Sequence, residues 1–163
     1  ILKLMRRRYD SKLYKSRIEK INQLMPDASI GADVIVGFPG ENDDLFLESM
    51  DFIDNLNISY LHVFSYSERD NTHAIKLPKT VELNIRSKRS KLLRILSSRK
   101  KSTFYNKFLG TTHDVLFESE EKNGFIEGFS PNYLRFRKKW DSKLAGMIVK
   151  SRFNKIDSEG YAT

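Results

Sequence analysis

The chain of 163 residues contains no cysteine. This excludes a disulfide framework, a disulfide-linked partner and a thiolate metal site within these residues, and the usage agrees with a reducing, cytoplasmic setting. No apolar run approaches the ~20 residues needed to span a bilayer, so no membrane partner is expected. Acidic residues are missing from one long stretch. Between Leu83 and His113 there is none, while Arg86, Lys88, Arg89, Lys91, Arg94, Arg99, Lys100, Lys101 and Lys107 supply cations. The net charge of +8 is therefore carried by one half: residues 1–80 hold 11 Lys and Arg against 12 Asp and Glu, and the remainder 18 against 9. Asymmetry of that size is the footprint of a polyanion partner, nucleic acid foremost, with a merely solvated helix face as the alternative. Ile1 to Tyr9 place their charges after the apolar residues and contain neither an initiator Met nor a cleavage site, so they read as the start of a piece of a longer protein.

What is present reads first as β/α units. Tyr14, Ile18, Ile21 and Leu24 recur at helical spacing from Asp10 to Met25, and Pro26 stops the run. Ile30 to Val36 follows as a strand. Asn42-Asp43-Asp44 then offers a cap and two acids to a helix with the apolar stripe Leu45, Phe46, Met50, Ile53 and Leu56. Ser59 to Tyr66 is a second strand. Helix, strand, helix, strand at this spacing implies parallel pairing with the helix as crossover. Within the strands, Val34 and Val36 oppose Asp33, Ile35 and Gly37, while Leu61 and Val63 oppose Tyr60, His62, Phe64 and Tyr66. The aliphatic face belongs against the helices. That turns Asp33 and His62 to a common open side, close to the turn Gly37-Phe38-Pro39-Gly40-Glu41, as a ligand-facing pair or as a hydrogen-bonded structural one.

After Pro78 a long helical stretch runs from about Val81 to Leu109 and Gly110 ends it. The period then changes from helical to twofold. Val115 to Glu118, Gly124 to Gly128, Tyr133 to Arg137 and Gly146 to Phe153 read as short strands divided by turn residues such as Lys122-Asn123-Gly124. The fold class is thus α/β plus small all-β: β/α units in residues 1–109, either a fragment of a partial (β/α) barrel or a unit that assembles with another copy, then an OB-like antiparallel β-barrel in residues 110–163. In the third of these strands Leu134 and Phe136 oppose Tyr133, Arg135 and Arg137, with Lys138 and Lys139 following; Lys150 and Arg152 repeat the pattern on the last strand. A face of aromatics and cations on a small barrel stacks unpaired bases and holds phosphates, although an ordinary basic sheet surface has the same composition.

Three segments carry a family resemblance. Leu4-Met5-Arg6-Arg7-Arg8-Tyr9, then Asp33-Val34-Ile35-Val36-Gly37-Phe38-Pro39-Gly40-Glu41, then His62-Val63-Phe64-Ser65-Tyr66-Ser67-Glu68-Arg69 resemble, in order and spacing, the radical S-adenosylmethionine methylthiotransferases. The resemblance covers essentially the whole chain, and its last part is similar to the RNA-binding TRAM domain. The His-Val-Phe-Ser-Tyr-Ser version of the second strand is most similar to enzymes that methylthiolate threonylcarbamoyladenosine beside the tRNA anticodon; relatives act on isopentenyladenosine or on a ribosomal protein. By resemblance, Ile35, Val36, Gly37, Phe64 and Ser65 bind the adenosine part of S-adenosylmethionine. Asp33, His62 and Arg69 face the substrate, and Tyr133, Arg135, Arg137, Lys138, Lys139, Lys150 and Arg152 bind tRNA. Asn71 and His73 depart from the Gly and Pro that the family places after that arginine.

The resemblance also implies two 4Fe–4S clusters in the parent enzyme. Such clusters require soft thiolate ligands, and His62, His73 and His113 are too few and too scattered to replace them. No metal ligand and no catalytic group is therefore expected here, and the isolated chain is expected to be inactive. A free-standing RNA-binding module remains the alternative. A β/α enzyme that grips an anion at the Gly-rich turn is disfavoured, because Asp43 and Asp44 repel phosphate there.

Overall fold

The computed structural model describes all 163 residues. They form two compact units, Ile1–Lys100 and Lys101–Thr163. In the first unit, α1 (Ser11–Leu24) is opened by Asp10, whose carboxylate accepts from the Leu13 N–H at 2.8 Å. Strand β1 (Gly31–Val36) leads to α2 (Asp43–Asp54), capped by Asn42. Strand β2 (Tyr60–Ser65) follows, then a short 3-10 turn at His73–Lys76 and α3 (Leu83–Asn106). Strands β1 and β2 are parallel, with Asp33 opposite His62 and Ile35 opposite Phe64. Their other face carries Ala32, Val36, Leu61 and Val63 into a core completed by Ile18, Phe46, Ile53, Leu93 and Leu96. The twofold alternation thus sorts the residues as expected.

One edge of β2 is covered by the long helix. The Ser97 hydroxyl accepts from the Leu61 N–H at 2.9 Å and donates to the Leu61 carbonyl at 3.1 Å. Arg94 Nη2 donates to the Val63 carbonyl at 3.1 Å. Side chains of α3 therefore satisfy backbone groups that a neighbouring strand would otherwise take.

The second unit is a four-stranded antiparallel sheet in the order β5-β4-β3-β6, formed by β3 (Thr112–Lys122), β4 (Phe125–Phe129), β5 (Arg135–Lys139) and β6 (Ile148–Arg152). Asn123 and Gly124, at φ of 54° and 82°, turn β3 into β4 as a primed hairpin requires. The core holds Val115, Phe117, Ile126, Leu134, Phe136 and Phe153 together with Phe104, Tyr105 and Phe108. The last turn of α3 and the residues after it thus belong to the second core, and the two units divide at Lys100, earlier than the change of sequence period at Gly110. Four antiparallel strands agree with a small barrel-like β unit. No helix is long and apolar enough to cross a membrane.

Candidate functional site

The open face of the first unit is built in rows. Gly31 pairs with Tyr60, Asp33 with His62 and Ile35 with Phe64. Asp33 and His62 are exposed, and the Tyr60 ring stands edge-on to His62 at 5.1 Å. Gly31 leaves room for that ring, since a Cβ there would lie 2.6 Å from Tyr60 Cζ. An acid, an imidazole and an exposed phenyl ring, Phe64 at 52%, therefore share one side of the sheet. Ile35 is half-buried beside Phe64. Ile35 and Phe64 thus form an apolar pair beside the polar pair Asp33 and His62.

The other residues expected at this site lie differently. Val36 is 1% exposed, in the core between sheet and helices. Ser65 falls on the opposite side of β2 from Phe64, by the alternation that buries Leu61 and Val63. Arg69 is exposed in the loop after β2, where its carbonyl accepts from the Thr72 N–H and hydroxyl. Gly37 is buried in a closed turn. Its N–H donates to Glu41 Oε1 at 2.9 Å, and a Cβ there would lie 2.3 Å from Arg86 Cγ.

Two arginines of α3 close that turn, and composition alone gave them no such role. Arg89 donates to Glu41 Oε1 at 2.6 Å, to the Glu41 carbonyl at 3.0 Å and to Asp43 at 2.6 Å. Arg86 donates to the Val81 and Tyr66 carbonyls and forms a fork on Glu68, at 3.1 and 2.5 Å. The Arg86 guanidinium holds the exposed Glu68 carboxyl below its usual range, chiefly through these hydrogen bonds. The acid-free segment is therefore not a uniform polyanion face. Arg86 and Arg89 are buried and paired, Arg99 meets Asp54 at 2.5 Å, and Lys100 donates to the Asp54 and Leu56 carbonyls. Lys88, Lys91 and Lys107 remain exposed.

In the second unit the guanidinium face exists, but its charges are paired within the unit. Glu127 of β4 lies opposite Arg137 of β5, and Phe129 opposite Arg135. The Tyr161 ring is sandwiched between the two guanidiniums, 4.7 Å from that of Arg135 and 4.5 Å from that of Arg137. Arg137 also packs on Phe125 at 4.6 Å and pairs with Asp157 at 2.7 Å and Glu159 at 2.8 Å. Arg135 pairs with Glu127. Burial raises the Glu127 carboxyl, but hydrogen bonds from Tyr161 and Arg135, with the charges of Arg135 and Lys122, outweigh it and leave the group below its ordinary value.

The remaining cations divide. Lys138 points to the inner side, donating to Ser151 Oγ at 2.9 Å with its ammonium 5.3 Å from the Phe117 ring centre. Tyr133 precedes β5 in a left-handed turn at φ 59° and is 68% exposed, so it does not continue the strand's alternation. Lys139 and Arg152 are exposed without a carboxylate partner, and Lys150 lies 3.4 Å from Asp114, both exposed. Twofold alternation signals Glu127, which shares the outward face of β4 with Phe125 and Phe129. It carries no signal for Tyr161, which arrives from the carboxyl-terminal segment.

No protein-family model matches the chain. Curated relatives do. The chain is 36% identical over 99% of its length to the threonylcarbamoyladenosine tRNA methylthiotransferase of Bacillus subtilis, and 35% identical over 99% to that of Rickettsia prowazekii. It is 34% identical over 95% of its length to the tRNA-2-methylthio-N(6)-dimethylallyladenosine synthase of Vesicomyosocius okutanii. The chain spans about a third of these relatives, 35% to 36% of their length.

Proposed function

We propose that this chain, which belongs with the tRNA methylthiotransferases along nearly its whole length, is the portion of such an enzyme that positions cofactor and tRNA during methylthiolation of N6-threonylcarbamoyladenosine next to the anticodon. The observation that carries the reading is the 36% identity, over 99% of the chain, to an enzyme named for that nucleoside. A second substrate has its own support: the 34% identity to a dimethylallyladenosine synthase favours isopentenyladenosine. The radical S-adenosylmethionine chemistry implied by the family belongs to the parent protein, in a cytoplasmic setting.

For S-adenosylmethionine, the open sheet face suits the adenosine part. Ile35 and Phe64 present an apolar surface, and Asp33 and His62 offer an acceptor and an imidazole beside it. When bound, that cofactor supplies the methyl and adenosyl groups, while these residues orient its purine. The iron–sulfur clusters do not fit the residues present. The chain has no cysteine, and no group of three His, Cys, Asp or Glu is arranged to hold a metal. The isolated chain is accordingly proposed neither to cleave S-adenosylmethionine nor to transfer sulfur. Residues 110–163 are proposed to form a TRAM-like RNA-binding module, with Lys139, Lys150 and Arg152 among its exposed cations.

The test is binding of total tRNA to the 163-residue chain over a salt series. Binding that weakens steeply with salt supports the reading. Absence of tRNA binding at low salt contradicts it.

A further inference from the structure

The first unit contains a pocket of about 410 Å³ between the carboxyl end of β2 and α3. Ser65 and Tyr66 line it from the end of the strand; Leu83, Ser87, Ser90, Lys91 and Arg94 line it from α3. Positions 87, 90, 91 and 94 fall on one helical face, so the sequence spacing itself delivers two hydroxyls and two cations to one wall.

Lys91 and Arg94 in this wall have no carboxylate partner. No Asp or Glu lines the pocket. Arg86 also borders it, but each of its terminal nitrogens is already committed to Glu68, and its Nε to the Val81 carbonyl. Arg94 is held in place by neutral groups only, Ser90 Oγ at 3.3 Å and the Val63 carbonyl at 3.1 Å. Lys91 is exposed and has no ion pair. A positioned guanidinium, an exposed ammonium and serine hydroxyls make the donor set that suits a phosphate oxyanion. The volume lies in the range of sites for small organic ligands, well above what a lone tetrahedral anion fills. Leu83, 74% exposed, supplies an apolar rim for the remainder of such a ligand.

We propose that this pocket holds one nucleotide of a single-stranded RNA segment, with the phosphodiester on Lys91 and Arg94 and the nucleoside against Leu83. The assignment rests on the reading of the chain as serving tRNA and names a contact point for that RNA on the first unit.

The test titrates the ¹⁵N-labelled 163-residue chain with a uridine pentanucleotide and, separately, with inorganic phosphate. The pentanucleotide is expected to shift amides from Ser87 to Arg94, and Lys91→Glu to weaken its binding about tenfold. Lys91→Gln is expected to lower the logarithmic salt slope by about 0.7, the value for one phosphate contact on a single strand. Lys91 is exposed, so an unchanged amide spectrum outside α3 certifies both variants as folded. Unchanged affinity in both variants overturns the proposal. So does inorganic phosphate saturating the same amides as tightly as the pentanucleotide, because the pocket would then be a simple anion site. If total tRNA binds wild type and Lys91→Glu equally while the pentanucleotide shifts no α3 amide, the pocket assignment fails and the functional reading stands. If tRNA does not bind while the pentanucleotide binds at Lys91, the functional reading fails and the pocket stands.

Discussion

Arg86 lies against Gly37 so closely that a Cβ on the glycine would sit 2.3 Å from the arginine Cγ, in a backbone at φ 75°. Strand β1 thus ends in a turn with two independent reasons to be glycine. Gly37→Ala is expected to cost about 3 kcal/mol, from the left-handed conformation and from overpacking of a buried neighbour. Gly110→Ala is the control. At φ 80° it has nothing within 4 Å, so only the backbone term of about 1 kcal/mol applies. Thermal unfolding of the two variants measures the difference.

Arg89 and Glu41 are 5% and 8% exposed at their side chains, and each is the other's principal charge partner. Arg89→Ala leaves a buried carboxylate uncompensated and is expected to destabilise the first unit by about 3–5 kcal/mol. Asp43, 85% exposed, contributes little to that figure. Arg89→Lys is expected to restore only part of the loss, because one ammonium cannot reach the Glu41 carboxylate, the Glu41 carbonyl and Asp43 together. Denaturant titration of both variants checks the order.

Ser97 closes the edge of β2 through both backbone groups of Leu61. Ser97→Ala removes two hydrogen bonds at a partly buried site and is expected to cost about 1–2 kcal/mol. Faster amide exchange at Leu61 than in the wild type is the local readout; unchanged exchange would show that the edge is held by other means.

In the second unit, Glu127 and Asp157 both titrate below their ordinary values of 4.5 and 3.8. Burial raises each. It is outweighed for Glu127 by hydrogen bonds from Tyr161 and Arg135, and for Asp157 by the Tyr161 and Glu159 backbone N–H groups and by Arg137. An acid with a depressed folded value contributes stability above its unfolded value and loses it as pH falls through the folded one. The second unit is therefore expected to hold its stability down to about pH 4.5 and to lose it progressively below. Glu127→Gln is expected to flatten that profile while lowering stability at neutral pH. Unfolding of second-unit amides followed from pH 6 to pH 3 measures both.

Much of this architecture was legible in the residues. Alternation in Val34, Val36, Leu61 and Val63 assigned the buried face, and the common side of Asp33 and His62 followed from it. Asn42 gave the start of α2, and Asn123-Gly124 the hairpin. What stayed hidden was pairing across sequence distance. A count of cations sees Arg86 and Arg89 as surface charge, yet Glu68 and Glu41, tens of residues earlier, make them buried structural groups. The outward guanidiniums of β5 read as an RNA surface until Tyr161, Asp157 and Glu159 return from the chain end to occupy them. Periodicity reports which face a residue shares; it carries nothing about which distant segment covers that face.

The proposed product is a nucleoside, and nucleoside analysis detects it directly. Transfer RNA from cells with and without the intact gene is digested and examined by mass spectrometry for 2-methylthio derivatives. Methylthiolated threonylcarbamoyladenosine is expected to disappear with the gene and return on complementation, with its unthiolated precursor accumulating in between. Unchanged levels of that nucleoside, or loss confined to methylthiolated isopentenyladenosine, would contradict the proposed function.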